Sequence, residues 1–288
     1  MPLHPEIAKV LATLPAPPPG PLDPVAMRAA EARPEVTTTL HGVEDTTVGE
    51  VPIRIYTPDD PYGKIVFFHG GAFFLGSLDT HDHVARSLAK ATGFQVISVG
   101  YRLAPEAAFP AGLDDCYAVV RWAAGETGTV AIAGDSSGGT FAAAIAAMAH
   151  DDGFDRISHQ ILYYPSLDLD FDEDRYPSLR ENAVGYGLET AGLKPFNAFY
   201  LASGADPADP RVSPIKRTDL TGLPPALIVT GELDPLRDEA ELYGLRLRAA
   251  GVPVTVSRYA GAGHGFVQHF SWIPEYHRAF EETAEFLR

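Results

Sequence analysis

The chain has 288 residues, which suits one large domain or two small ones. Apolar residues make up 45% and charged residues 21%, a composition that supports a packed core and excludes a mainly disordered chain. The formal net charge of −16 disfavours phosphate backbones and anionic lipid surfaces, so nucleic acid is not an expected partner.

The single cysteine, Cys116, excludes an intrachain disulfide framework and is expected to pack inside a helix. The N-terminus lacks the basic and then apolar pattern of a secretion signal. The longest apolar run, at 141–149, is far shorter than the ~18–20 residues that span a bilayer. These features predict a soluble, cytoplasmic protein without a membrane span.

Short helices are predicted at 5–14 and 24–32, with a stiff proline-rich linker between them. Together they form an N-terminal arm, residues 1–34, which is too small to be a domain. Because the arm is also too apolar to stay in solvent, we expect it to lie on the main body.

Strands are predicted at 35–42, 51–56 and 64–68, and the last is a continuous apolar run typical of a buried strand. Strands and helices then alternate, which predicts a parallel sheet with helices on both faces. The further predicted elements are a helix at 79–92, a strand at 94–100, a helix at 112–124, a strand at 129–134, a helix at 137–149, strands at 158–164 and 225–230, a helix at 236–250, a strand at 253–259 and a helix at 274–287.

Residues 166–222 interrupt this alternation and contain a helix-like stretch near 189–202. Insertions of this length are often functional, so we expect a lid or cap, with a plain surface excursion as the alternative. The core is then expected to consist of residues 35–165 and 223–288.

The run GDSSGG at 134–139 fits the G-x-S-x-G pattern of a nucleophile elbow, with Ser136 as the nucleophile. Glycines two residues before and after the serine let the backbone pack closely around a strained turn. The strand-like TVAIAG before the run and the helix-like TFAAAIAAMA after it are the context that this pattern requires. The alternative is a small-residue turn that only packs.

A serine nucleophile needs a base, and in this architecture the base comes last along the chain. His264 is the expected base, because its glycine-rich GAGHGF loop follows a predicted strand and can carry an imidazole to the sheet edge. His269 and His277 are assigned to the surface or to packing.

The base in turn needs an orienting acid. Asp234 is the preferred acid, because it lies just past the strand at 225–230, where catalytic groups gather in open α/β sheets. Glu232 and Asp238 are rival acids. Asp234 could also cap the helix that begins near Pro235.

The motif HGGAF at 69–73 directly follows a predicted strand. Backbone amides on a glycine turn can bind the oxygen that becomes negative during acyl transfer. The amides of Gly70 and Gly71, with that of Ser137, are therefore predicted to form an oxyanion hole. His69 is expected to shape this loop instead of acting as a second base.

These motifs come in the same order as in the hormone-sensitive-lipase-like branch of the α/β-hydrolases, a group of bacterial carboxylesterases that the chain resembles. Four further segments carry the resemblance, which covers roughly residues 35–288: YRLAPEAAFPA (101–111), DPRVSP (209–214), LDPLRDE (233–239) and HGF (264–266).

The resemblance implies the α/β-hydrolase fold, with an eight-stranded, mostly parallel sheet flanked by helices and a helical cap built from the arm and the insertion. It also implies hydrolysis of short- to medium-chain carboxylic esters without a cofactor, by a monomer or homodimer. The family's triad roles carry over to Ser136, Asp234 and His264. Ala72 stands where the family has the third glycine of HGGG, and Ser137 stands where alanine is common. The YRLAPE run supports the oxyanion loop in the family.

Aromatic side chains are expected to line an acyl or alcohol pocket, with a cap core as the alternative for those in the insertion. The predicted lining residues are Ala72, Phe73, Phe74, Phe199 and Phe266, with Phe196 and Tyr200 as further candidates.

No metal site is expected. The acidic run at 168–174 lacks the glycine and the final acid of a calcium loop, so it is predicted to be a solvated loop. His81 and His83 are two residues apart on a predicted helix and do not share a face.

Two other functions remain open. An amide or formamide hydrolase of the arylformamidase type would use the same triad, and only its leaving-group preference would differ. A non-catalytic small-molecule receptor on the same fold is the other alternative, and an intact triad argues against it.

Overall fold

The computed structural model describes residues 2–13, 21–126 and 128–288. Within them the sheet strands are β1 (Gly42–Val48), β2 (Val51–Thr57), β3 (Lys64–Phe68), β4 (Gln95–Val99), β5 (Val130–Asp135), β6 (Ile157–Tyr163), β7 (Ala226–Gly231) and β8 (Val254–Tyr259). They form one sheet in the order β1-β2-β4-β3-β5-β6-β7-β8. Only the pairs β1–β2 and β2–β4 are antiparallel among the described strands. The predicted eight-stranded, mostly parallel sheet is thus confirmed.

Helices cover both faces of this sheet. They are α1 (Pro5–Leu11), α2 (Pro24–Ala29), α3 (Asp82–Thr92), α4 (Ala111–Ala124), α5 (Ser137–Asp151), α6 (Ser178–Glu181), α7 (Thr190–Asn197), α8 (Arg237–Ala249), α9 (Phe266–Phe270) and α10 (Pro274–Phe286), with short 3-10 helices at Tyr200–Ser203 and Pro214–Lys216. One hydrophobic core joins the sheet to α4, α5 and α8, and a second joins it to α3 and α10.

Strand β3 shows why a continuous apolar run marks the centre of the sheet. Ile65 and Phe67 belong to the core on the α3 and α10 face, whereas Val66 and Phe68 belong to the core on the opposite face. All four side chains are fully buried. A strand with both faces covered needs apolar residues at every position, so its sequence does not alternate.

The first strand begins later than predicted. The sequence pattern predicts it at 35–42, but the strand is Gly42–Val48 and the residues before it are irregular. β1 and β2 are joined by a tight turn in which Gly49 has a φ of 59°, and Val48 pairs with Val51. Gly42 pairs with Thr57, the last residue of β2, so residues 35–41 lie beyond the end of that strand and pair with no strand of the described residues.

The described part of the N-terminal arm contacts the main body. Ile7 is buried, and His4 N donates to the carbonyl oxygen of Gly261 at 3.0 Å. The end of the first predicted helix and most of the proline-rich linker fall on residues 14–20, which lie outside the described residues.

The acidic run at 168–174 is only partly solvated, so that prediction is wrong for its first residue. Asp168 is fully buried, and its carboxylate accepts hydrogen bonds from Arg175 Nη1 and Tyr176 Oη, both at 2.7 Å. Lys216 Nζ lies 3.0 Å from the other carboxylate oxygen. These opposite charges and hydrogen bonds compensate for the loss of hydration, which a buried carboxylate requires.

Cys116 is fully buried on α4, as predicted for a packing residue. In the described ranges, His, Cys, Asp and Glu side chains form no group of three or more that could hold a metal ion. The helices of those same ranges include none with the length and apolar character that crossing a membrane requires.

Gly138 sets the distance between α5 and the end of β3. A Cβ atom at this position would lie 2.0 Å from the carbonyl oxygen of Phe68 and 2.8 Å from that of His69. We expect Gly138→Ala to lower the free energy of unfolding by about 1–3 kcal/mol, because overpacking forces backbone shifts. Urea unfolding followed by fluorescence measures this change.

Gly42→Ala is the matched control, because a Cβ atom there would meet nothing within 4 Å. Equal unfolding midpoints for the two variants would show that the helix does not depend on this close approach.

Candidate active site

Ser136 occupies a strained turn between β5 and α5. It has φ 53° and ψ −118°, a region that costs a non-glycine residue about 1–3 kcal/mol. A side chain at Gly134 would bring a Cβ atom within 2.2 Å of the carbonyl oxygen of Gly138, so the turn requires glycine there. Ser136 N donates to the carbonyl oxygen of Tyr163 at 2.9 Å, and Ser166 N donates to that of Ser136 at 3.2 Å. These bonds hold the turn against its strain.

Ser136, His264 and Asp234 form a continuous hydrogen-bonded chain. His264 Nε2 lies 2.9 Å from Ser136 Oγ, and His264 Nδ1 lies 2.8 Å from Asp234 Oδ2. A carboxylate only accepts hydrogen bonds, so Nδ1 carries the proton that is shared with Asp234. The lone pair of Nε2 then faces the serine hydroxyl, which is the arrangement that a general base needs.

Asp234 is fully buried and uses both of its carboxylate oxygens. Oδ1 accepts from Leu236 N at 2.8 Å, which leaves Oδ2 for the imidazole. Helix α8 begins at Arg237, so Asp234 shapes the turn before the helix and is not its N-cap. Asn182, 52 residues earlier in the insertion, donates from Nδ2 to the Asp234 carbonyl oxygen at 3.0 Å. No sequence pattern singles out Asn182, because it reaches the acid only through the fold.

The two rival acids are bound elsewhere. The Glu232 carboxylate accepts from Gly261 N at 2.9 Å, and the Asp238 carboxylate accepts from Ser178 N at 2.8 Å. Both contacts join backbone segments that surround the turn at Asp234. Of the three carboxylates considered, the one that contacts His264 in the structure is Asp234.

The amide of Gly70 is not available to an oxyanion, which corrects one residue of the predicted hole. Gly70 N donates to Asp135 Oδ1 at 2.8 Å in a buried contact. The Gly70 amide therefore anchors the loop, whereas the amides of Gly71, Ala72 and Ser137 have no hydrogen-bond acceptor among the described residues.

The loop that carries these amides has an unusual backbone. Gly71 has φ 122°, and a Cβ atom there would lie 2.3 Å from the carbonyl oxygen of Leu75. Ala72 and Phe73 also have positive φ angles, of 49° and 66°. Phe73 N donates to Ser137 Oγ at 3.3 Å, so the side chain after the nucleophile supports the loop.

Asp135 lies inside the GDSSGG run, but the motif does not predict that its side chain anchors the loop after β3. It is almost fully buried, and His81 Nε2 lies 3.5 Å from its Oδ1 atom. Burial alone would raise the pKa of Asp135, but the electrostatic effect of His81 and the hydrogen bond from Gly70 N outweigh it and lower the pKa. The carboxyl group is thus held as the anion that anchors the loop.

His69 shapes the same loop, as predicted. Its Nδ1 donates to the carbonyl oxygen of Gly70 at 2.8 Å, and its ring stacks on Tyr101 with centroids 4.2 Å apart. Tyr101 Oη donates to the carbonyl oxygen of His69 at 2.8 Å. Burial lowers the pKa of His69 to about 3, so the ring stays neutral at physiological pH and serves packing.

Ser136 and His264 open onto a cavity of about 700 Å³. Its walls come from both ends of the chain and from the insertion. Its apolar lining residues include Val10 and Leu11 of α1, Phe74 and Leu75 of the loop after β3, Leu188, Leu193 and Phe196 of the insertion, and Leu236. Glu31, His81, Gln268 and His269 add polar groups.

Of the predicted lining residues, Ala72 and Phe74 face this cavity, and so does the further candidate Phe196. Phe73 lies outside the lining, because its buried ring stacks on Tyr200 with centroids 3.8 Å apart. The pair Phe73 and Tyr200 therefore forms a contact between the loop and the insertion instead of a substrate wall.

Phe199 and Phe266 also lie outside the lining. Phe199 packs on Phe74 at a centroid distance of 4.9 Å, and Phe266 is fully buried, 5.1 Å from the ring of Tyr276. His269, predicted to lie at the surface or to serve packing, lines the cavity from α9. The short helix α9 after the His264 loop turns this ring toward the site, and no sequence period reveals so short a helix.

Known proteins share this arrangement of sequence and fold. The profile of a family described by its alpha/beta hydrolase fold matches residues 65–268. Carboxylesterase NlhH of Mycobacterium tuberculosis is 39% identical over 267 residues, which covers 86% of this chain and 82% of the relative. An arylesterase of Saccharolobus solfataricus is 38% identical, with 76% of this chain and 73% of the relative covered.

A solved structure supports the same family assignment. A hyperthermophilic esterase from the archaeon Pyrobaculum calidifontis superposes with a TM-score of 0.87 at 36% identity, over 99% of this chain and 97% of that chain. The matches extend through the strands, the site loops and the insertion, and the relatives are carboxylic ester hydrolases by name. The chain therefore belongs to the α/β-hydrolases and, among them, to the hormone-sensitive-lipase-like carboxylesterases.

Proposed function

We propose that this carboxylesterase hydrolyses short- to medium-chain esters through an acyl-enzyme intermediate on Ser136. The observation that carries the proposal is the hydrogen-bonded chain from Ser136 Oγ through His264 to Asp234. Its order of donor and acceptor atoms is that of a serine nucleophile with a neutral imidazole base.

In the first half of the reaction, His264 Nε2 takes the proton of Ser136 Oγ while Oγ attacks the ester carbonyl carbon. The tetrahedral intermediate then expels the alcohol, which receives the same proton from His264. In the second half, His264 takes a proton from water, the resulting hydroxide attacks the acyl carbon, and Ser136 leaves with the proton returned to it. Asp234 keeps the imidazole in one tautomer and stabilises its charged form.

The negative oxygen of each tetrahedral intermediate is proposed to bind the amides of Gly71, Ala72 and Ser137. Ser137 is the first residue of α5, so its amide adds the positive end of the helix to the site. Donors fixed before the reaction need no reorganisation, and the loss of one typically costs about 10²–10³ in rate.

We also propose that the arm, residues 1–34, and the insertion, residues 166–222, act together as a cap over a core of residues 35–165 and 223–288. Support comes from the cavity wall, to which both segments contribute apolar side chains such as Leu11 and Leu193. An apolar wall favours substrates with alkyl or aryl groups on either side of the ester.

The relatives named above are called carboxylesterase, arylesterase and esterase, which favours an ester over an amide or formamide as the substrate of this chain. The cytoplasmic location and the monomeric or homodimeric state stay predictions from the sequence.

A series of p-nitrophenyl esters from acetate to palmitate tests the activity. We expect turnover to peak at short acyl chains, because the cavity is bounded by side chains of the cap. We expect Ser136→Ala to lower kcat by a factor on the order of 10⁴–10⁶, because the nucleophile is removed.

An anilide series run in parallel separates the alternatives. Faster turnover of p-nitroacetanilide or of formanilides than of the matched esters would favour an amide hydrolase. Full activity of the Ser136→Ala protein would mean that another group is the nucleophile.

The acid can be tested against its rival in the same turn. We expect Asp234→Asn to lower kcat about 10⁴-fold, because an amide no longer selects the correct imidazole tautomer. Asp238→Asn is the matched control, since this carboxylate binds Ser178 N and Arg237. If steady-state kinetics showed the larger loss in Asp238→Asn, the assignment of the acid would be wrong.

A substitution at Ser137 can separate the role of its side chain from that of its backbone amide. Ser137→Ala removes the Oγ atom that accepts from Phe73 N but keeps the backbone amide. Because that hydrogen bond is long, at 3.3 Å, we expect kcat to fall less than about 10-fold, well below the loss for a missing oxyanion donor. A loss of 10²-fold or more would mean that the hydroxyl itself serves the reaction.

A further inference from the structure

The loop that carries the Gly71 and Ala72 amides is not stable by its own backbone preferences. Ala72 and Phe73 adopt the left-handed region, at φ 49° and 66°. A segment in such a conformation persists only where its surroundings hold it. On the inner side the loop is held by Asp135 and Ser137, as described above.

On its outer side the loop is held by the N-terminal arm. Arg28 Nε, at the end of α2, donates to the carbonyl oxygen of Phe74 at 2.6 Å. Both carboxylate oxygens of Glu31 accept from Gly76 N, at 2.9 and 3.1 Å. The arm therefore binds the loop at two backbone groups directly beyond the oxyanion donors.

The rest of the Arg28 guanidinium group fixes the arm to the YRLAPE segment. Nη1 and Nη2 form a two-pronged contact with the Glu106 carboxylate at 2.9 and 2.8 Å, and Nη2 also donates to the carbonyl oxygen of Ala104. Ala104 N in turn donates to the carbonyl oxygen of Phe73 at 3.0 Å. The flat, multiply donating head of arginine thus joins three chain segments, a geometry that lysine cannot reproduce.

We propose that Arg28 and Glu31 are positioning residues for the oxyanion hole, so that the arm acts on the rate of the chemical step in addition to covering the cavity. The inference rests on the proposed function, because it takes the amides of Gly71 and Ala72 as the oxyanion donors. Backbone donors work only at hydrogen-bond distance from the oxyanion, and a misplacement of about 1 Å can cost 10²-fold in rate.

Two simpler roles of the arm make different predictions. If the arm only covers the cavity, its variants will change KM and leave kcat intact, because the substrate loses contacts that it keeps throughout the reaction. If the arm contributes only to folding, its variants will lower the melting temperature without a selective effect on the transition state.

The experiment compares Arg28→Ala, Arg28→Lys and Glu31→Ala in the full chain. Arg33→Ala is the matched control, because Arg33 lies on the same arm, is 76% exposed and forms a surface ion pair with Asp79. For each protein kcat and KM are measured with p-nitrophenyl butyrate. The inhibition constant of an aryl trifluoromethyl ketone is measured too, because its adduct with Ser136 places an oxyanion in the same hole. Melting temperatures are recorded alongside.

We expect Arg28→Ala to lower kcat about 10- to 100-fold with KM changed less than about threefold, and to weaken the ketone by the same factor as kcat/KM. Arg28→Lys should show most of this loss, because an ammonium lacks the planar fork of donors that contacts the two carbonyl oxygens and the Glu106 carboxylate at once. Glu31→Ala should show a smaller loss of the same kind, and Arg33→Ala none. If Arg28→Ala does not fold, Arg28→Lys and Glu31→Ala decide the question.

An unchanged kcat in the Arg28 and Glu31 variants, a change in KM alone, or a loss of kcat without weaker ketone binding would each overturn the inference. Ser136→Ala separates this failure from failure of the proposed function. If Ser136→Ala abolishes both turnover and ketone binding while the Arg28 variants keep both, only the role of the arm is refuted. If Ser136→Ala keeps both, the proposed function itself is refuted.

Discussion

Ser136 adopts φ 53° and ψ −118° in a turn with glycines on both sides. These glycines let the end of β5 and the start of α5 lie closer to neighbouring backbone than a Cβ atom would permit. The same close approach sets the first turn of α5 against the end of β3, through Gly138 and Phe68. The loop after β3 therefore begins beside the nucleophile. The close packing at these glycines thus places the serine hydroxyl near the amides of the loop after β3. Asp234 and His264 follow the ends of two other strands, β7 and β8.

The parts of the site that follow strand ends could be predicted from the sequence. In a parallel sheet the carboxyl ends of the strands share one edge, so Ser136, Asp234 and His264 meet although 128 residues separate the serine from the histidine. The sheet itself could be predicted because a central strand such as β3 is apolar at every position. In each case the residues that determine the feature lie in one short stretch of sequence.

The remaining features depend on contacts that local sequence does not contain. The backbone amides of Gly70 and Ala72 have the same chemical character. They differ because the Asp135 carboxylate, 65 residues after Gly70, accepts the hydrogen bond of the Gly70 amide and leaves that of Ala72 without an acceptor among the described residues. The sequence does not distinguish Asp168 from the other acids of its run, because its burial depends on ion pairs with Arg175 and Lys216 that form only in the folded chain. The beginning of β1 is likewise fixed by its partner strand.

Much of the apolar cavity wall and the groups proposed to make and break bonds come from different segments of the chain. Leu193 and Phe196 belong to the insertion and Val10 to the first helix, whereas Ser136 and His264 lie on loops of the sheet edge. A change in an apolar wall side chain such as Leu193 alters the room for the substrate and removes none of the hydrogen bonds that join Ser136, His264 and Asp234. In evolutionary terms, substrate range can diversify through the apolar side chains of the wall, whereas the sheet edge and the arm residues that contact the loop after β3 are constrained together.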